Sequence, residues 1–172
     1  MDRGRRAFLR GTLLTRAGRA QEVLRQQPLG PPPPWHRGLA LESHCPGCTH
    51  PCLTACDPGI IHLHPQDHDL AGLPYLDFNT SGCTFCKACV EACPLDETIE
   101  LDTTANPIIG KAQLNRETCI AWDDVICMAC SGRCDYHAIN TVHQRRAQID
   151  TELCNGCGMC VAACPVQALS IV

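Results

Sequence analysis

The sequence predicts an α+β fold made of two small units in tandem, and three observations support this prediction. Sixteen of the 172 residues are cysteine, whereas Phe, Trp and Tyr together number seven. The cysteines fall into four groups of four that recur about every 35 residues, as in an internal repeat. Short stretches of alternating apolar and polar residues, typical of strands, lie between the groups. With so few aromatic residues, the chain needs disulfides or bound metal in place of a large apolar core.

Residues 1–28 precede these groups and are predicted to form a basic helical arm. They hold seven arginines against two acidic residues. Apolar residues recur at steps of three and four, which places them on one helix face: Leu9, Leu13, Ala17, Ala20 and Leu24. Two interpretations stay open, a solvated helix that docks on the body and a recognition arm for a partner. In the second interpretation the partner-binding residues are Arg5, Arg6, Phe8 and Leu9.

The arm also bears on the compartment of the protein. It opens like a twin-arginine export signal, RGRRAFLR, but Arg16, Arg19 and Glu22 interrupt the place of an apolar signal core of roughly 7–15 residues. No run approaches the roughly 20 apolar residues of a membrane span. We therefore expect a cytoplasmic protein without a membrane span, whose reduced thiols are available to metal. The arm has one aromatic residue and no lysine, so we expect a protein partner and no nucleic acid.

Residues 29–43 are predicted to be a proline-rich linker. The run PLGPPPPW, from Pro28 to Trp35, ends the arm helix, because successive prolines lack backbone donors and favour extended geometry. It is interpreted as a semi-rigid spacer between the arm and the body, with a ligand for a proline-recognising module as the alternative. Trp35 is expected to pack its ring on the body.

The second and fourth cysteine groups carry the strongest chemical signal. Each has its cysteines at spacings x2, x2, x3 and a proline after the last one, the run by which bacterial ferredoxins bind 4Fe-4S clusters. In such a unit the fourth cysteine of each group ligates the other cluster. The repeat therefore predicts tandem bacterial-type ferredoxin-like units, residues 44–110 and 111–172, each holding two 4Fe-4S clusters that stabilise it. The second group is Cys83, Cys86, Cys89 and Cys93, and the fourth is Cys154, Cys157, Cys160 and Cys164.

The first group departs from this run by one residue. Its spacing is x2, x3, x3, and Asp57 stands in the place of the proline. The extra residue falls within residues 49–51, a turn-prone stretch that can bulge without displacing a ligand. Five histidines surround the group, so a zinc site is the alternative here. The cysteines are Cys45, Cys48, Cys52 and Cys56, and the histidines are His44, His50, His62, His64 and His68.

The third group is the most irregular, because seven residues separate its first two cysteines. The enlarged loop contains Trp122, Asp123 and Asp124, and Asp135 follows the last cysteine. Either the loop covers a cluster with Trp122, or Cys119 is not a ligand, and we favour ligation. The group is Cys119, Cys127, Cys130 and Cys134.

The sixteen cysteines allow two ways of pairing the groups, and three or four clusters, with four favoured. Nested pairing joins the first group to the fourth and the second to the third, whereas adjacent pairing joins neighbours along the chain. Adjacent pairing, which we favour, gives four ligand sets. They are Cys45, Cys48, Cys52 with Cys93; Cys83, Cys86, Cys89 with Cys56; Cys119, Cys127, Cys130 with Cys164; and Cys154, Cys157, Cys160 with Cys134. Short strands are predicted at 75–78, 99–102, 147–150 and 168–172.

The whole chain resembles the NapF family of ferredoxin-type proteins, associated with periplasmic nitrate reductase. The resemblance rests on the opening RRAFLRG, the PPW at 33–35, the regular second and fourth groups and the seven-residue gap in the third group. The first group departs from the family, which has spacings x2, x2, x3 there. The resemblance implies a cytoplasmic accessory protein that interacts with the precursor of NapA, the catalytic subunit containing molybdenum and a 4Fe-4S cluster, before its export. It also implies that the cysteines of the matching groups bind clusters.

Two functions follow from these observations. The first is docking of NapA precursor to assist its cluster loading or redox maturation. The second is electron transfer, as a polyferredoxin subunit that carries electrons from a redox donor to an oxidoreductase. The sequence contains no nucleophile elbow, glycine-rich nucleotide loop or His-Glu metal motif, so we do not expect an enzyme.

Overall fold

The computed structural model describes residues 15–35, 39–94, 107–142 and 146–172, which form a small α+β fold. Its helices are α1 (Arg16–Gln26), α2 (Leu39–His44), α3 (Pro51–Ala55), α4 (Ala88–Glu91) and α5 (Met159–Ala162). Its strands are β1 (Ile61–Leu63), β2 (Pro74–Leu76), β3 (Ala112–Leu114), β4 (Ile139–Val142), β5 (Arg146–Ile149) and β6 (Leu169–Ile171). None of these helices is long and apolar enough to cross a membrane.

The strands form three antiparallel pairs, two of which occupy matching places along the repeat. β1 pairs with β2 between the first and second cysteine groups, and β4 pairs with β5 between the third and fourth. Ile61 lies opposite Leu76 in the first of these pairs, and Ile139 lies opposite Ile149 in the second. β3 pairs with β6, which brackets the third and fourth groups. The chain therefore repeats one plan, in which an antiparallel strand pair connects two cysteine groups.

Three of the four predicted strands overlap observed ones. Residues 75–78 overlap β2, residues 147–150 overlap β5, and residues 168–172 contain β6. The prediction for 99–102 lies outside the described residues. Strands β1, β3 and β4 were not predicted, because strands of three or four residues are too short to display a clear alternation of apolar and polar residues.

The buried apolar side chains are few, and cysteines make up much of the core. In the first unit Ile60, Leu76 and Val90 pack together with Cys52 and Cys89. In the second unit two of the six buried core residues are alanines at strand positions, and two are cysteines. The six are Ala112, Cys130, Ile139, Ala147, Cys160 and Leu169. Each core therefore depends on what the thiols bind.

The proline-rich segment packs on the first unit. The N–H of Leu76 donates to the carbonyl oxygen of Pro31 at 2.8 Å, which extends the edge of β2. The N–H of Leu29 donates to Nε2 of His64 at 3.2 Å, and burial lowers the pKa of this histidine, which favours the neutral ring that can accept. A Cβ on Gly30 would collide with the carbonyl oxygen of Leu76, so the close approach requires glycine.

Trp35 packs its ring on the body, as the sequence predicts. Its side chain is 9% exposed and meets the ring of Phe85 edge to face, with ring centroids 6.4 Å apart. The indole Nε1 is buried and has no hydrogen-bond partner within the described structure. The contact is therefore held by apolar packing.

Trp35→Ala is expected to lower the free energy of unfolding of the metal-loaded protein by about 3–5 kcal/mol, the usual cost of truncating a buried aromatic side chain. Trp35→Phe keeps an aromatic ring and removes an unpaired indole donor, so we expect a much smaller loss. Denaturant unfolding followed by circular dichroism would measure both variants. Equal destabilisation by the two would contradict the importance of ring packing.

The arm contributes one described helix, α1, whose C-terminal end is fixed to the body. Nε of Arg25 donates to the carbonyl oxygen of Asp67 at 2.8 Å, and its guanidinium lies 3.8 Å from the carboxylate of Asp69. Val23 and Leu24 stay exposed, at 51% and 65%. The predicted partner-binding residues lie outside the described residues, namely Arg5, Arg6, Phe8 and Leu9.

Candidate metal centres

Four cavities in the structure are each lined by four cysteines. Each set takes three cysteines from one group and the remaining cysteine from the neighbouring group. We call the sets site 1 (Cys45, Cys48, Cys52, Cys93), site 2 (Cys56, Cys83, Cys86, Cys89), site 3 (Cys119, Cys127, Cys130, Cys164) and site 4 (Cys134, Cys154, Cys157, Cys160). These are the sets that adjacent pairing predicts, whereas nested pairing would place Cys164 beside the first group. All sixteen thiols are free of disulfides.

One helical turn lies between the third and fourth cysteine of every group. The turn carries the third cysteine into one site and directs the fourth toward the other site of the same unit. The spacing of three intervening residues is the same in all four groups, because it matches one turn of helix. The turns are α3, α4, the 3₁₀ turn Ser131–Arg133 and α5.

A residue in the left-handed region starts this turn in three of the groups. It stands two positions before the third cysteine, as His50 (φ 55°), Lys87 (φ 66°) and Gly158 (φ 78°). The additional residue of the first group, Thr49, falls before this point. Cys52 therefore keeps the same place on its helix as its counterparts, and the irregular spacing leaves site 1 intact.

Backbone amides donate hydrogen bonds to cysteine sulfur in each of the four sites. The amides of Ala138 and Ala168 donate to the Sγ atoms of Cys134 and Cys164, at 3.3 and 3.2 Å, each from four residues further along the chain. The others are the amides of His50 to Cys48, Phe85 to Cys83 and Ala112 to Cys154, at 3.3, 3.4 and 3.3 Å. Such bonds favour the thiolate form, because they place positive ends of dipoles at the sulfur.

Burial opposes the thiolate form when no metal is bound. Burial, together with neighbouring thiols, raises the pKa of Cys45 and of Cys83 to about 11. Burial with neighbouring thiols raises the pKa of Cys89 and Cys160 to about 12. At neutral pH these thiols hold their protons, so metal binding must displace them and is weakened by acid. A positively charged iron centre, when bound, would offset this cost by favouring the thiolate form.

Three of the five histidines near the first group contact backbone carbonyl oxygens. Ring nitrogens of His50, His64 and His68 lie within hydrogen-bond distance of backbone carbonyl oxygens, at 3.0, 2.8 and 2.9 Å. Within the described ranges, no three His, Cys, Asp or Glu side chains are placed to hold a single metal ion. Four thiols around one cavity therefore fit a multi-iron cluster better than the zinc alternative.

The enlarged loop of the third group brings Cys119 into site 3. Cys119 is buried, at 9% exposure, and a 3₁₀ turn over Ile120–Trp122 follows it. Trp122 is outside the lining of site 3. Its ring packs against the small core of Cys119, Ala121 and Ala168, and the guanidinium groups of Arg116 and Arg146 lie 4.4 and 5.2 Å from the ring centroid. Its Nε1 also donates to the carbonyl oxygen of Ala147, so Trp122 fastens the loop to β5.

Comparisons with known proteins agree with this chemistry. The family described as "4Fe-4S dicluster domain" matches residues 44–97, and the family "4Fe-4S binding domain" matches residues 147–170. Neither range includes the third group. The sequence is 32% identical to "Ferredoxin-type protein NapF" of Escherichia coli (strain K12), over 95% of this chain and 93% of that protein.

Two proteins of Haemophilus influenzae are also similar. One is "Ferredoxin-type protein NapF", 30% identical over 97% of this chain and 92% of that protein. The other is "Ferredoxin-type protein NapG", 27% identical over 84% of this chain and 57% of that protein. The similarity to both proteins named NapF spans nearly the whole length of this chain, including the irregular groups.

Proposed function

Because the chain belongs to the NapF family of ferredoxin-type iron–sulfur proteins, we propose that it is a cytoplasmic accessory protein that binds the precursor of NapA and assists its maturation before export. The assistance is either cluster loading or redox activation of the precursor. Ferredoxin-type proteins are generally electron carriers without catalysis of their own, and this proposal assigns no catalytic residue.

In this proposal the sixteen cysteines hold four 4Fe-4S clusters, one in each site. The observation that carries it is the convergence of four thiols on each of four cavities, with amide donors aimed at the sulfur atoms. When bound, 4Fe-4S clusters supply one-electron redox chemistry at a potential set by hydrogen bonding and burial. The chain itself holds the thiols apart at fixed positions, directs amides at sulfur, and shields the sites with short helices and strands.

The arm supplies the binding of the precursor. α1 is anchored at Arg25, while Val23 and Leu24 remain exposed on the helix surface. The net charge of residues 1–28 is +5, whereas the remaining residues carry −9. A basic segment with exposed apolar side chains on an acidic body fits a partner segment of opposite charge.

Removing the partner-binding side chains is expected to weaken binding of unprocessed NapA about ten-fold or more, a loss of about 1.4 kcal/mol or more. The variant replaces Arg5, Arg6, Phe8 and Leu9 together with alanine. Pull-down and titration of the loaded protein with unprocessed NapA would measure the effect.

Leu153→Ala serves as the control, because Leu153 is an exposed apolar residue of the second unit, 52% exposed. We expect this control to bind the precursor as the unaltered protein does. Unchanged binding by the quadruple variant would exclude a role for these residues of the arm.

Electron transfer from a redox donor to an oxidoreductase is the second candidate function. A specific observation favours it, since a cysteine of site 2 is hydrogen-bonded to a cysteine of site 4 across the two units. The two functions are compatible, because redox activation of a precursor requires electrons. Clusters that no one-electron donor reduces would argue against the second function and leave binding of the precursor unaffected.

A further inference from the structure

The two units meet at a contact between cysteines of different sites. The N–H of Cys83, in site 2, donates to the carbonyl oxygen of Cys157, in site 4, at 2.7 Å. This bond joins the loop that enters the second group to the loop of the fourth group. A single peptide hydrogen bond therefore connects the protein shells of sites 2 and 4.

An aromatic contact joins the same two sites. Phe85 lines site 2 and Tyr136 lines site 4, and their rings meet edge to face with centroids 6.4 Å apart. Phe85 has φ 56°, a left-handed conformation that is unusual for an aromatic residue, and its own N–H donates to the sulfur of Cys83. Both contacts therefore depend on the same turn.

Glycines permit the close approach of the two units. A Cβ on Gly82 would stand 2.5 Å from the backbone nitrogen of Met159 and 2.7 Å from the carbonyl oxygen of Cys157. A Cβ on Gly158 would collide with the ring of Phe78. Since real Cβ atoms do not approach backbone atoms so closely, any side chain at Gly82 must push the two loops apart.

Within each unit the two sites share a buried core. Cys52 of site 1 and Cys89 of site 2 belong to one core, and Cys130 of site 3 and Cys160 of site 4 belong to the other. Combined with the contact between Cys83 and Cys157, this arrangement places the sites in the order 1, 2, 4, 3. The order in space therefore differs from the order of the groups along the chain.

We propose that the contact of Cys83 with Cys157, supported by Phe85 and Tyr136 and made possible by Gly82, is the electron junction between the two units. It joins the four sites into one series whose ends are site 1 and site 3. With clusters held by the thiols of sites 2 and 4, the junction would let one electron pass between the two sites in either direction, with no bond or proton exchanged. The electron comes from an external one-electron donor of low potential. This inference rests on the proposed content of four clusters.

Chains that retain only two sites test the junction. Cys48→Ser with Cys127→Ser leaves sites 2 and 4, and Cys86→Ser with Cys157→Ser leaves sites 1 and 3. Both chains are reduced anaerobically with dithionite after iron analysis shows about eight irons. We expect the paramagnetic resonance spectrum of the first chain to show magnetic coupling between its two reduced clusters, and the second chain to show two isolated signals. Isolated signals in the first chain, or stronger coupling in the second, would overturn the proposal.

A second comparison uses the complete set of ligands. Gly82→Ala displaces the junction, whereas Gly132→Ala is the matched control because a Cβ there meets nothing within 4 Å. We expect both variants to retain about sixteen irons. The spectrum of Gly82→Ala should lose the coupling between units and become the sum of the two units, and that of Gly132→Ala should be unchanged. If the two-site chains fail to hold iron, this pair of variants still tests the junction. Equal coupling between the units in both variants would overturn the proposal.

Iron analysis of the unaltered protein separates failure of the junction from failure of the proposed function. About sixteen irons with uncoupled sites 2 and 4 would exclude the junction alone. About twelve irons would contradict the content of four clusters itself.

Discussion

Removing the iron from the loaded protein under anaerobic, reducing conditions is expected to unfold both units. The apolar core is too small to hold the chain, because the second unit relies on residues such as Ala112 and Ala147 where larger domains place bulky side chains. Burying neutral thiols in place of ligated ones also leaves each cavity without its contents. Binding of a structural metal supplies folding free energy, so its loss removes that free energy directly.

Circular dichroism in the near ultraviolet and the dispersion of amide proton signals would follow this unfolding. Protein treated with the same chelator after saturation with iron is the control for effects of the reagent. A metal-free chain that keeps native signal dispersion would show that apolar packing alone holds the fold.

The second large effect, a loss of iron, is expected when the fourth cysteine of a group is replaced, because this cysteine lines the site formed by the neighbouring group. Cys164→Ser should remove the cluster of site 3 and, with it, about four irons per chain. Cys119→Ser should remove the same cluster, because Cys119 and Cys164 line the same cavity. The double variant is therefore expected to lose no more iron than either single variant.

Cys45→Ser provides the contrasting pair, because Cys45 lines site 1. Cys164→Ser combined with Cys45→Ser should lose about eight irons, the sum of two clusters. Nested pairing reverses both results, so that Cys164 with Cys45 would be non-additive and Cys164 with Cys119 additive. Iron and sulfide analysis of the five chains distinguishes the two arrangements.

The spacing of the cysteines carries much of this structure. It allows two ways of pairing the groups, and the cavities bring together the sets of the favoured, adjacent pairing. The run of prolines before Trp35 correctly predicts that the helix ends and that the indole packs on the body. These features are local, because a short loop and one helical turn determine them. The contacts of Trp122 could not be predicted in this way, because its arginine neighbours and the acceptor Ala147 lie at other places in the sequence.

Contacts between the units could not be predicted from the sequence. The approach of Gly82 to Cys157 and of Phe85 to Tyr136 depends on how two folded units dock, and no periodic pattern records it. The glycine at position 82 is the one sequence signal available, because a glycine directly before a ligand indicates close backbone approach. The glycine alone does not identify the segment of the chain that approaches it.

The helical turn between the last two cysteines of each group has a consequence for how such proteins are counted. Because that turn fixes the spacing of three residues, Cys-x3-Cys is the constant part of the pattern. The gap between the first and second cysteines, by contrast, varies from two residues to seven. A search for the complete regular run finds two groups in this chain, the second and the fourth. A search anchored on Cys-x3-Cys finds all four groups, so a search for the regular run alone misses half of the candidate cluster sites of this chain.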